Sequence, residues 1–287
     1  MTINVDTAVS APEDYQHLIY EVDEEHIAWV TLDRPAKYNA MNRALIAELR
    51  AGLLRADADP DVNVIVIKGN GRGFCGGHDL TEDAGDDELR LDPYAYRQHY
   101  FTEYKDYLTP WEISKPVVAS VHGAAIGKGF ELTMMADISI VTSDTELGYA
   151  EVRHGIAGFL MFLPWLVGMK AAKDLLLTGR KVSAAECKEL GLVTQVVEPD
   201  ELAAETKRVA TIMARIPSGM QRIHKQYLNR VYDAQGLQSA VADYLEVEMF
   251  MSVLPTPEYA KFIDVTSERG LRAAIDDGEA RFAGLDR

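Results

Sequence analysis

The chain has 287 residues, 47% of them apolar and 26% charged, and a formal net charge of −16. This length holds one large domain or two small ones around a sizeable core, and the composition is neither collagen-like nor disordered. The acid excess excludes a general binder of nucleic-acid backbones, which needs a basic stripe; no apolar run reaches the about 18 residues of a membrane span.

Residues 1–15 (MTINVDTAVSAPEDY) are polar and acidic, without a basic start or an apolar stretch, and read as a loose leader rather than a signal peptide. Cys75 and Cys187 lie far apart and outside any metal-ligand spacing, so reduced thiols and a cytoplasmic location are expected. Residues 17–23 (HLIYEVD) and 26–32 (HIAWVTL) flank Glu24-Glu25 as a hairpin, stopped by Arg34-Pro35. Leu45, Ile46, Leu49, Leu53 and Leu54 have helical spacing within 41–58, with Asn42 as N-cap. Residues 63–68 (NVIVIK) form a strand buried on both faces, which enters a glycine-rich turn at 69–77 (GNGRGFCGG). An acidic loop at 83–92 leads to an aromatic helical stretch at 94–111.

Residues 117–137 (VVASVHGAAIGKGFELTMMAD) run from a strand through glycines 123, 127 and 129 into a helix from Phe130 onward. Then come a strand at 138–141, the segment 147–151, and an apolar stretch at 155–167 broken by glycines and Pro164. A helix at 169–177 follows, then one at 183–190 with Ser183 and Glu186 in capping-box spacing, and a strand at 192–197. From 201 to 283 the pattern is helical, broken at Pro217, Pro255 and Pro257. The chain therefore divides into an α/β core at 16–200 and a helical part at 201–287. A doubly wound parallel sheet and a spiral of ββα turns both fit this alternation.

Neither glycine turn has the spacing of a P-loop or a dinucleotide turn, which removes the nucleotide-cofactor reading. Two such turns after two buried strands offer something else, backbone N–H groups converging on one developing oxyanion. At this point the sequence resembles the crotonase (enoyl-CoA hydratase/isomerase) superfamily. The resemblance is carried by LDRPAKYNAMN at 32–42, GFCGGHDL at 73–80, KPVVASVHGAAIGKGFELTMMADISI at 115–140 and LTGRKVSAAECKELGLVTQVV at 177–197. The C-terminal TSERGLRAAI and ARF extend it to the end of the chain.

The resemblance implies a crotonase-like spiral of ββα repeats with a C-terminal helical domain that packs between subunits of a trimer or hexamer. It implies that the backbone N–H groups of His78 and Lys128 bind an acyl-CoA thioester carbonyl, and that Glu131 and Glu151 are the catalytic pair. Ala36, Lys37 and Ala40 fall where family members contact the CoA nucleotide, and Asp79, Leu80 and Thr81 where they line the substrate channel. Coenzyme A is part of the substrate, and no metal or further cofactor is implied. Read alone, Glu131 is a first-turn helix carboxylate and Glu151 an exposed loop acid; together they suit syn hydration of a 2-enoyl-CoA, one activating water and one delivering a proton.

Two features depart from the family pattern. Lys128 stands where glycine is common, and its side chain reads as solvated or near the CoA. Phe159, Leu160, Met161 and Phe162 are bulkier than the family's glycine- and proline-rich turn and would reshape the acyl pocket. His122 and His154 match no family catalytic position, and the aromatic residues of 94–111 suit an ordinary packed helix or the border of the acyl pocket. Hydration is the first expectation. A Δ3,Δ2-enoyl-CoA isomerase, another family lyase, hydrolase or racemase, and an inactive acyl-CoA-binding scaffold are its alternatives.

Overall fold

The computed structural model describes residues 15–81, 91–156, 162–254 and 256–285. The expected leader, most of the acidic loop at 83–92 and Phe159, Leu160 and Met161 lie outside them.

A hairpin of β1 (Leu18–Val22) and β2 (Ile27–Leu32) opens the fold, and its turn is closed by the Asp23 carboxylate, which accepts from the Glu25 and Ile27 N–H groups and from Trp29 Nε1. Four parallel strands continue the sheet: β3 (Val64–Gly69), β4 (Val117–Val121), β6 (Ile138–Thr142) and β9 (Gln195–Val197), in the order β1-β2-β3-β4-β6-β9. The unbroken apolar run of β3 is explained by its two faces. Ile65 and Ile67 join the main core with the helix α1 (Arg43–Ala58), while Val64 and Val66 join Val118, Ile140, Leu202 and Val209 on the other side. Leu202 and Val209 belong to the helix α7 (Leu202–Ala214), so the helical region beyond residue 200 begins by covering the sheet.

A small second sheet, β5 (Ala124–Ile126), β7 (Glu146–Gly148) and β8 (Val182–Ser183), has the order β5-β7-β8. Two successive turns of the spiral take one strand from the large sheet and one from the small sheet before a helix or helical turn. β4 leads through β5 to α4 (Lys128–Met135), and β6 through β7 to a 3-10 turn at Ala150–His154. In the turn that begins with β3 the second strand has shrunk to one parallel bridge, Cys75 with Ala125.

Several boundaries differ from the expected ones. The helix expected from Phe130 starts at Lys128, and the aromatic stretch splits into α2 (Pro93–Tyr107) and α3 (Thr109–Glu112) where Pro110 cannot donate to a continuing helix. The stretch read as broken at 155–167 instead supplies the start of α5 (Leu163–Thr178), with a kink at Gly168, where φ is 74°. α6 (Ala184–Leu190) has the expected Ser183 cap, whose hydroxyl accepts from the Glu186 N–H. Helices α8 (Ser218–Ala234), α9 (Leu237–Val253), α10 (Pro257–Arg269) and α11 (Leu271–Glu279) complete the chain. Cys75 and Cys187 are buried and unbridged, and no helix among the described residues is long and apolar enough to cross a membrane.

Candidate active site

Parallel pairing brings the two glycine turns together. β3 and β4 are neighbours in register, Ile65 opposite Val117 and Lys68 opposite Ser120, so the chain leaves both at the same end. Segments 74–76 and 122–126 then run side by side. The Phe74 N–H donates to the His122 carbonyl (2.8 Å), Cys75 to Ala124 (3.0 Å) and Ile126 to Cys75 (3.1 Å). At their ends, a Cβ placed on Gly77 would stand 2.9 Å from the Ile126 carbonyl oxygen and 3.8 Å from the Lys128 nitrogen, and φ at Gly77 is +99°. His78 forms a parallel bridge with Met41 in which Gly77 accepts and Asp79 donates. The His78 N–H therefore faces away from Met41. Lys128 is the first residue of α4, and a first-turn N–H has no acceptor within its own helix.

The loop before α1 holds this arrangement in place. The wholly buried Asn39 donates from Nδ2 to the carbonyls of Asn70 (2.9 Å) and Gly73 (2.9 Å) and accepts from the Arg34 N–H (2.8 Å). Arg34 in turn bonds the Ala40 carbonyl (2.5 Å) and the Asp79 carboxylate (2.9 Å). Burial opposes the charge on Asp79, but hydrogen bonds from Thr81 and Arg34 outweigh it and hold the carboxyl below its ordinary range.

Below the turns lies a cavity of about 570 Å³ whose wall includes Gly77, His78, Gly127, Lys128 and Glu151. Glu151 arrives there because β7 pairs in parallel with β5, with Gly148 opposite Ile126 and accepting from the Gly127 N–H (2.9 Å). Its carboxyl rests on Gly127, where a Cβ would stand 2.4 Å from Oε1 and displace it; φ there is +52°, a conformation that favours glycine. Oε2 of Glu151 is buried without a hydrogen-bond partner among the described residues, and burial raises its pKa to about 7. Glu131 lies one helical turn after Gly127. It is wholly buried, it is not part of the cavity wall, and its Oε1 accepts from the Tyr149 hydroxyl (3.0 Å).

The Lys128 side chain does not reach solvent. It is 5% exposed and pairs with Glu103 of α2 (2.6 Å), while the Tyr107 hydroxyl donates to the Lys128 carbonyl. Three contacts, including the ammonium over the Tyr107 ring, thus clamp α2 to the first turn of α4.

The profile of the enoyl-CoA hydratase/isomerase family matches residues 23–269. The chain belongs to that family. Within the crotonase superfamily to which this family of enzymes belongs, a probable enoyl-CoA hydratase of Rhizobium meliloti is 34% identical over 93% of this chain and 98% of its own. A probable enoyl-CoA hydratase of Mycobacterium tuberculosis is 31% identical over 77% of this chain and 84% of its own. The crystal structure of an enoyl-CoA hydratase/isomerase from Xanthobacter autotrophicus Py2 superposes with a TM-score of 0.87 at 32% identity, covering 94% of this chain and 99% of that one.

The family frame leaves the expected positions distributed as follows. His78, Lys128, Glu151, Lys37, Ala40, Asp79, Leu80 and Thr81 all line the cavity; Ala36, exposed, and Glu131, enclosed, do not. Phe162 is packed edge-on against Trp111 (5.1 Å) in the core, so it does not shape the cavity as expected. His122 Nε2 donates to the Gly71 carbonyl (3.0 Å) in a separate, larger hollow of about 800 Å³ that contains neither Glu131 nor Glu151. His154 does line the cavity, its pKa lowered by burial.

Sequence reasoning missed Tyr149, Asn39, and the walls contributed by α9, α10 and α11 through Met251, Phe262 and Ile275. On α2 it offered the aromatic residues as a border of the acyl pocket, which holds for Tyr96 and Tyr100, and missed His99 and Glu103. Tyr96, His99, Tyr100 and Glu103 stand at i, i+3, i+4 and i+7, a spacing legible in the sequence, and all four line the cavity.

Proposed function

We propose that this enzyme adds water across the double bond of a 2-enoyl-CoA thioester to give a 3-hydroxyacyl-CoA. The observation that carries this reading is Glu151, a carboxyl on the cavity wall beside the meeting of the two glycine turns, with its pKa raised to about 7 by burial. The thioester carbonyl accepts from the backbone N–H groups of His78 and Lys128, and the positive end of α4 adds to the hold on the enolate oxygen. Glu151, protonated up to about neutral pH, delivers its proton to Cα. Glu131, whose Oε1 accepts from Tyr149, is the ionised partner that takes a proton from the water attacking Cβ. The π bond is replaced by a C–O and a C–H bond, and proton exchange between the two carboxyls restores the starting state. The steps are proton transfers and oxyanion stabilisation, so the reading calls for no metal or redox cofactor. Names of relatives at 31% and 34% identity support the same reaction.

The enclosure of Glu131 favours one second reading, a Δ3,Δ2-enoyl-CoA isomerase in which Glu151 alone carries the proton between Cα and Cγ. Incubating 2-enoyl- and 3-enoyl-CoA esters separately and weighing the products distinguishes the two, because only hydration adds the mass of water. Glu131→Gln and Glu151→Gln should each lower hydration at least about 100-fold. Near-wild-type hydration by both variants would overturn the assignment, and isomerisation that survives Glu131→Gln would establish the second reading.

A homotrimer or hexamer belongs to the same proposal. Its support is the apolar face of α8, where Ile223, Tyr227, Leu228 and Val231 are exposed in the single chain. Light scattering on the purified protein would check it.

A further inference from the structure

The turn that carries Glu151, Ala150–His154, has little to hold it from within. It is a short 3-10 turn without a side-chain cap at its start. Its backbone bonds are long: Val152 N–H to the Tyr149 carbonyl (3.3 Å), Gly155 to Val152 (3.2 Å) and Ile156 to Glu151 (3.2 Å). Three residues per turn set Glu151 and Arg153 on different sides. Glu151 lines the cavity, whereas Arg153 is buried and does not.

Arg153 is joined instead to two helix ends. Its Nε donates to the Thr178 carbonyl at the end of α5 (3.1 Å), and Nη1 donates to Oε2 of Glu279 at the end of α11 (3.1 Å). A helix C-terminus carries unsatisfied carbonyls and partial negative charge, which favours a cation there. The same charge disfavours a carboxylate at the last position of α11, so helix stability does not account for Glu279. Its pairing with Arg153 does. The Arg153 guanidinium also lies over the Phe282 ring (4.2 Å), and Arg281 donates back to the Arg153 carbonyl. The helix itself presses on the turn, for a Cβ on Gly278 would stand 2.1 Å from Nδ1 of His154.

We propose that Arg153 is a positioning residue, tying the turn that carries Glu151 to the end of α11 so that the last helix of the chain sets where the acid stands. This goes beyond the reaction proposed above and rests on Glu151 as its acid. Arg153 acts through the backbone of the turn, two residues from Glu151, and does not reach the cavity.

Arg153→Met keeps an apolar stem and removes both side-chain hydrogen bonds. In the full-length protein kcat for hydration should fall about 10–100-fold, the scale of a displaced catalytic group. KM, and the Kd of a saturated acyl-CoA, should stay within about 2-fold, because the glycine turns that hold the thioester belong to other elements. Arg153→Lys, which can make one of the two bonds, should keep more activity than Arg153→Met. Glu279→Gln, which leaves a neutral acceptor, should cost about 3–10-fold in kcat. Combining it with Arg153→Met should lose no more than Arg153→Met alone, because the pair acts as one unit. Hydrogen exchange read by mass spectrometry should be about 10-fold faster over residues 150–156 in Arg153→Met and unchanged over 117–135.

Wild-type kcat in both single variants would overturn the proposal. So would a rise in KM and Kd that matches the loss in kcat, or faster exchange throughout the chain, since either marks a general structural role. Should Arg153→Met fail to fold, Glu279→Gln decides through the same measurements, its side chain being 31% exposed. Absence of hydration by the wild type would count against the hydratase reading, and exchange over 150–156 would still support or overturn the tie to α11.

Discussion

Glu131 and Glu151 are the same residue type, twenty positions apart, and both meet Gly127, Glu131 through its backbone N–H and Glu151 through its carboxyl, yet the fold treats them differently. Glu131 sits in the middle of α4, wholly enclosed, with a tyrosine hydroxyl on Oε1. Glu151 sits on a 3-10 turn closed by the left-handed Gly155 and projects to the cavity wall, with Oε2 unpartnered and its pKa raised to about 7 by burial. The difference is one of access: one carboxyl is held behind the cavity wall by a tyrosine, and the other forms part of the wall. Burial is what raises the Glu151 pKa to about 7, because taking a carboxyl out of water disfavours its charged form.

The strongest way to break this contrast is to remove the surface on which Glu151 rests. Gly127→Ala places a methyl group against Glu151 Oε1 and forces a side chain into a backbone with φ +52°. Hydration should fall by more than about 100-fold through misplacement of the acid, with a stability loss of about 1–3 kcal/mol from backbone strain. Steady-state assays and urea titration would measure the two losses, and wild-type kinetics would show that Glu151 does not depend on that contact.

A second set of measurements reads the raised pKa. If protonated Glu151 is the acid, hydration measured as kcat/KM should decline about 10-fold per pH unit above a midpoint near 7, and the limb should vanish from the residual activity of Glu151→Gln. Stability should carry the same group with a definite sign. The unfolded carboxyl releases its proton near the ordinary 4.5, the folded one near 7, so the unfolded state holds fewer protons between those values. Stability therefore falls as pH rises through that window, and relative to Glu151→Gln the wild type should lose about 1–3 kcal/mol between pH 4.5 and 8. Parallel pH profiles of the two proteins in denaturant would exclude the buried-acid account.

The smallest effect sharpens the other half of the comparison. Tyr149→Phe removes the donor from Glu131 Oε1 and should cost about 3–10-fold in kcat with little change in KM, the scale of one hydrogen bond to a carboxylate. In a Glu131→Gln background the same change should add almost nothing, because the two act as one unit. Full additivity in that double-mutant cycle would separate Tyr149 from Glu131.

How much of this was legible beforehand depends on how local the cause is. The two-faced burial of β3 could be read from its apolar run, and the Asn42 cap from its position, where its side chain accepts from the Leu45 N–H (2.9 Å). Family resemblance marked both glutamates, and the structure brings only the Glu151 carboxyl to the cavity wall. The direction of Lys128 was not legible: a lysine in a glycine-rich turn reads as solvated, and its burial depends on Glu103 and Tyr107, more than twenty residues earlier. Phe162 misled for the same reason, since the partner that draws it into the core, Trp111, stands fifty-one positions away.

By itself the sequence determined the local requirements of this protein: glycines where the backbone must turn left-handed or approach another strand, apolar strands that must be covered on both sides, and two acids in the spacing of one enzyme family. Only the tertiary structure decided which acid reaches the cavity, which is held behind it, and that α2 supplies the buried partner of Lys128. Backbone conformation is set by neighbours in the chain, whereas solvation and hydrogen-bond partners are set by whatever parallel strand pairing and helix packing bring alongside.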